Sequence, residues 1–140
     1  HVSQEVVTDN AQYYTVKLSV LETEASGYEH NQFYTIDKQT GNVVALADLF
    51  AEGSDYISVI SENIKTQMRE QMVADEGVIY FLDDEDMTEF NFQSITEQTN
   101  FYFNESGELV IAFDEYEVAP GYMGAPEFVI PQKVTAGLLK

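Results

Sequence analysis

Residues 13–21 alternate with period two. Tyr13, Thr15, Lys17, Ser19 and Leu21 fall on one side, and Tyr14, Val16, Leu18 and Val20 on the other. With β-branched and aromatic residues at these positions, the pattern predicts a strand. Val2 to Asp9 predicts a shorter strand before it, and Asp9-Asn10 a turn between the two. Ala25 to Asn31 interrupts the alternation as a loop, and Gln32 to Asp37 resumes it. Lys38 to Asn42 predicts a hairpin turn, with Gly41 suited to positive φ, followed by a return strand at Val43 to Leu46. The connections are too short for crossovers, so the pairing is antiparallel.

The period then changes to that of a helix. Gly53-Ser54 breaks the chain, Ser54 is the expected N-cap, and Asp55 stands in the first turn. Ile57, Ile60, Ile64, Met68 and Met72 recur along one face, and Asp75-Glu76-Gly77 ends the run. This stripe is read as core, to pack against residues such as Phe101, Phe103, Ile111 and Phe113. Val78 to Leu82 is a short apolar run, cut off by Asp83-Asp84-Glu85-Asp86. Thr88 to Thr99 fits neither period and is anchored by Phe90, Phe92 and Ile95. Phe101 to Phe103 and Glu108 to Phe113 flank Asn104-Glu105-Ser106-Gly107 as a second hairpin. Asp114 to Pro126 is a long loop in which Tyr116 and Val118 are expected to pack inward. Glu127 to Ile130 is a last strand, stopped by Pro131. Strands, one helix, then strands make an α+β domain, with the helix on one face of a mainly antiparallel sheet.

Charge narrows the function. Against 25 Asp+Glu there are 6 Lys+Arg, a formal net charge of -19. No basic stripe exists to neutralise phosphates, and an anionic membrane surface is disfavoured. The 18 Tyr and Phe and the patterned apolar residues speak against disorder. A length of 140 residues suits one domain. No run has the roughly 18 apolar residues of a membrane helix. The sequence opens directly in strand-like residues, which points to a fragment of a longer protein.

No catalytic or cofactor motif emerges. With no cysteine, thiolate chemistry and Cys-ligated metal are excluded. Paired carboxylates could serve a glycosidase, which holds two carboxyls about 5–10 Å apart, but no spacing singles out an acid and a base. Asp84, Asp86 and Thr88 imitate the start of a calcium loop. Its required glycine is replaced by Glu89 and its closing glutamate by Ile95, so the segment reads as a solvated acidic loop. His30 is the only internal histidine and no nucleophile motif accompanies it. Asn104-Glu105-Ser106 is a bare glycosylation sequon. No metal site, no cofactor and no enzymatic activity are expected. Pro120, Gly121, Tyr122 and Met123 combine large contact side chains with a stiff backbone, as a partner-facing loop does.

Tyr116-Glu117-Val118-Ala119-Pro120, then Gly124, then Glu127-Phe128-Val129-Ile130-Pro131 resembles the closing signature of the extracellular domain of the anti-sigma-V factor (RsiV) family. The same domain type occurs in wall-associated deacetylases. Tyr34-Thr35-Ile36-Asp37 with Thr40-Gly41 and then Leu46-Ala47-Asp48-Leu49-Phe50 resembles its other hallmark. Asn100-Phe101-Tyr102-Phe103 with Gly107 resembles its central hairpin. Many relatives carry a Gly-Gly-x-His-Gly-like loop where this chain has Ser26-Gly27-Tyr28-Glu29-His30. The histidine is kept, the second glycine is absent and Tyr28 is added, which suits a protein partner better than a sugar.

The resemblance implies a non-enzymatic receptor. Such domains bind lysozyme, which exposes the protein to signal peptidase and intramembrane cleavage and frees a sigma factor. Residues 1–140 would be the single C-terminal sensing domain on the outer face of the cell membrane. The membrane helix and sigma-binding part would lie upstream. The alternative is an accessory wall- or glycan-binding domain of a cell-wall-modifying enzyme or lipoprotein. The expected contact residues are Ser26, Gly27, Tyr28, Glu29 and His30 from one loop and Pro120, Gly121, Tyr122 and Met123 from another. Both loops are expected at the same end of the sheet. There Tyr28, His30, Tyr122 and Met123 would enter a concave cleft such as a lysozyme's substrate groove.

Overall fold

The computed structural model describes residues 2–21 and 29–140. Two three-stranded antiparallel sheets take the place of the single sheet expected. The first has the order β1 (Val2–Asp9), β2 (Tyr13–Leu21), β3 (Glu29–Asp37). Its register sets Val6 against Val16 and Val16 against Tyr34, with an irregularity in β1 between Val6 and Thr8. The second has the order β4 (Asn100–Phe103), β5 (Leu109–Ala112), β6 (Glu127–Ile130). In the sequence α1 (Tyr56–Ala74) comes between the two sheets, and after β6 comes a single turn, α2 (Gln132–Thr135).

The core lies between α1 and the second sheet. Ile60, Ile64 and Met68 are fully buried there with Ile111, Phe128 and Ile130, while Ile57 and Met72 flank them. The helical stripe is therefore core, as its spacing indicates. Ser61 is buried on the same face, and its hydroxyl accepts the Ile95 N–H at 2.9 Å. One polar residue of the helix thus satisfies a backbone group of the coil segment that holds Ile95. Phe92 and Ile95 are buried as expected, but Phe90 is 54% exposed. The helix is capped one residue later than expected. Asp55 is the N-cap, without a side-chain cap bond.

The first sheet meets the core with its polar side. Thr15 and Thr35, opposite each other, are buried and join hydroxyls at 2.9 Å. The Thr8 hydroxyl donates to the Phe103 carbonyl. Asn100, at the start of β4, bridges the sheets. Its Oδ1 accepts the Phe33 N–H at 3.2 Å and its Nδ2 donates to the Asn31 carbonyl at 2.8 Å. Phe33 stacks on Tyr102 and Tyr13 on Phe103, with centroids 5.3 and 4.7 Å apart. The opposite face of this sheet leaves Val2, Val6, Val20 and Tyr34 exposed.

The expected return strand at Val43–Leu46 reduces to one bridge, Val43 to Ile36. Leu46 instead opens a 3-10 turn, Leu46–Leu49, and is buried with Phe50. A hydrophobic anchor here outweighs a longer ladder. The chain end returns to this point, with Leu139 bridged to Phe50. At the far edge of the second sheet, Gln67 Nε2 of α1 donates to the Val129 carbonyl at 2.9 Å.

Candidate functional site

Val118 and Ala119 are buried at 1% and 0% exposure, and the Val118 carbonyl accepts the Phe81 N–H at 2.7 Å. This fixes the entry to the expected contact loop. Pro120 then starts a 3-10 turn, Gly121–Met123, closed by bonds from Met123 N–H to Pro120 O and from Gly124 N–H to Gly121 O, each 3.0 Å. Gly124 has φ 71° and ψ -142°, a conformation essentially reserved for glycine. Met123 packs against the core and so anchors the turn. Tyr122 is 66% exposed, and its hydroxyl donates to the Gly77 carbonyl, beyond the end of α1, at 3.1 Å. The turn is thus a braced platform that presents one tyrosine.

Ser26, Gly27 and Tyr28 lie outside the described residues. Glu29 opens β3 opposite Leu21. His30, half-buried, has Nδ1 4.0 Å from Asp114 Oδ2, and the Asn31 N–H donates to Asp114 Oδ1 at 2.9 Å. The structure therefore brings the root of the first loop to Asp114, the first residue of the segment that carries Pro120–Met123. Asp114 N–H in turn donates to Glu117 Oε1. Desolvation raises the Glu117 carboxyl; the Asp114 N–H bond lowers it, and the Asp114 charge raises it further.

The acidic segment is built for its own shape. Asp84 Oδ1 accepts the N–H groups of Asp86 and Met87, and Asn91 bonds Asp84 at both backbone groups. Arg69 grips Asp83 at 2.8 and 3.2 Å, and this bond holds the Asp83 carboxyl below the ordinary range. Among the described residues no group of three or more His, Asp or Glu could hold a metal ion.

Tyr116 departs from expectation. It does not pack inward but has φ 70° and is 48% exposed. For a bulky residue that conformation costs ~1–2 kcal/mol. It lays the Tyr116 ring over Gly121, where a Cβ would come within 2.6 Å of the ring. Gly121 is therefore needed for close approach. Tyr116 also lines a hollow of about 300 Å³ with Phe81, Asp84, Met87, Phe90 and Asn91. Sequence reading missed this hollow. Its only sequence signal was an aromatic and a methionine, Phe90 and Met87, stranded among acids with no period to bury them.

The chain matches the family model described as protein of unknown function (DUF3298) over residues 47–133. It is 45% identical over 135 residues to the anti-sigma-V factor RsiV of Bacillus subtilis (strain 168). That match covers 96% of this chain and 46% of the relative, so the chain spans about half the relative's length. Its fold is similar to two crystal structures of DUF3298 family proteins. One, from Pseudomonas aeruginosa PAO1, has a TM-score of 0.67 at 20% identity, covering 99% of this chain and 61% of that one. The other, from Bacteroides fragilis NCTC 9343, has a TM-score of 0.66 at 19% identity, covering 99% and 53%. With a family model spanning more than half of its residues, the chain belongs to the DUF3298 family.

Proposed function

We propose that this chain is the extracellular sensing domain of an anti-sigma factor. It acts as a non-enzymatic receptor whose occupation by lysozyme commits the anchored protein to regulated proteolysis and sigma factor release. The observation that carries this reading is the 45% identity to anti-sigma-V factor RsiV across 96% of the chain. Charge supports it. A domain at -19 steers a strongly basic protein such as a c-type lysozyme, lifting association above the roughly 10⁵–10⁶ M⁻¹s⁻¹ typical of neutral pairs. The braced Tyr122 platform supports it as well, because a stiff turn loses little entropy when it docks. The contact face on this reading joins Ser26, Gly27, Tyr28, Glu29 and His30 to Pro120, Gly121, Tyr122 and Met123.

The test is binding of the purified chain to a c-type lysozyme at several salt concentrations, with lytic activity followed in parallel. The expected result is a complex whose on-rate falls as salt rises and in which the lysozyme is inhibited. Failure to bind at low salt, or binding to peptidoglycan in preference to lysozyme, refutes the receptor reading.

A further inference from the structure

The hollow beneath Tyr116 has three properties that a merely solvated loop does not need. Its walls are apolar yet open. Met87 and Phe90 are 50% and 54% exposed, beside Phe81 and Tyr116. Its geometry is held at a cost, since Tyr116, which lines it, has positive φ, as does Asp83, next in sequence to the lining residue Asp84. Asp tolerates that conformation and Arg69 fixes it there, whereas Tyr does not. Strain of this kind gathers where a side chain must be aimed. Its surroundings carry one sign of charge. Asp84 lines it, Asp83, Glu85, Asp86 and Glu89 lie in the same segment of sequence as Asp84, Met87 and Phe90, and Asp114, Glu115 and Glu117 surround Tyr116 in sequence. Between Arg69 and Lys133 there is no basic residue, and Arg69 is engaged by Asp83.

We infer that this hollow is a docking slot for an apolar side chain flanked by lysine or arginine on a basic protein partner. Methionine and aromatic walls accommodate an inserted side chain, and the carboxylates receive the cations beside it. The slot is continuous with the Tyr122 platform, because the Tyr116 ring lies on Gly121. It extends the contact face from that turn toward residues 81–91. The inference rests on the basic-partner reading above.

Three variants test it against a c-type lysozyme, each with its own thermal unfolding curve. Tyr116→Gly removes the anchor and the strained conformation together. It is expected to unfold no earlier than the parent chain, yet to dissociate about tenfold faster. A tyrosine with only a structural role would lower stability and leave dissociation unchanged. The double variant Met87→Ser/Phe90→Ser alters two half-exposed side chains and is expected to keep its stability while dissociating about tenfold faster. Parental dissociation rates in both, with Tyr122→Ala still weakened, overturn the slot and leave the receptor reading standing. No binding by the parent chain overturns the receptor reading and the slot with it.

Discussion

Replacing Asn100 with alanine removes the amide that joins the two sheets. In the native chain this amide accepts the Phe33 N–H and donates to the Asn31 carbonyl, and both residues are buried, at 8% and 7% exposure. A hydrogen bond contributes about 1 kcal/mol net, but a buried group left without a partner costs about 1–3 kcal/mol. Asn100 itself is half-buried, so water can enter the vacated space and recover part of one bond. The expected loss is about 2–3 kcal/mol. At this chain size 1 kcal/mol lowers Tm by about 3–4 °C, which gives a fall of roughly 6–12 °C. Thermal unfolding followed by far-UV circular dichroism reads it. Asn100→Asp sharpens the test. Its ionised carboxylate still accepts from Phe33 but opposes the Asn31 carbonyl, so the folded state raises its pKa. The stability it retains is present at low pH, when the protonated acid can donate, and is lost as pH rises through that folded value. Its deficit against wild type should therefore narrow on acidification. A fall of less than about 2 °C for Asn100→Ala would refute the claim that this side chain couples the sheets.

Ile64→Ala, at a position with no exposure, should cost about 2–5 kcal/mol, and an unchanged urea midpoint would contradict the packing described. Tyr122→Ala should weaken lysozyme binding by about thirtyfold. Its folding should be little altered, since it forfeits one exposed bond to Gly77, and wild-type affinity would remove the platform from the interface. Asp83→Asn keeps the positive φ but loses the ionic grip of Arg69. Because the Asp83 carboxyl is held below its ordinary 3.8, the stability it adds is present above that value and lost as pH falls through the lower folded one. The Tm difference from wild type should be visible at neutral pH and close in acid.

Local period carried the strands and the principal helix, and the places where it failed share a cause. Alternation along β2 defines two faces but not which one is buried. Here the side with Thr15 turns inward because Thr35 and Thr8 can satisfy one another and the second sheet with hydroxyls. That the two sheets meet through Asn100 rather than a ladder has no local signature at all. Ser61 breaks the apolar stripe only in appearance, since its hydroxyl serves a backbone group 34 positions away. The Pro120–Met123 segment was legible as a loop because Pro120, Gly121 and Gly124 punctuate the chain there. Tyr116 was not, because its spacing from Val118 favours burial and only tertiary contact with Gly121 explains its outward pose.

The Gln67 bond to Val129 bears on self-association. A sheet edge offers unpaired backbone groups to any passing strand. The edge of β4 faces β3, and an edge carbonyl of β6 is occupied by a helix side chain. That leaves β1, whose ladder is interrupted after Val6 and which carries Glu5 and Asp9. Only the stretch before the interruption can template another strand, and a second copy arriving there brings its own Glu5 toward this one, while Asp9, beyond the break, is paired with Lys38. One glutamine, one break in register and one edge glutamate thus each shorten the edge that the exposed valines of this chain could offer to a second copy.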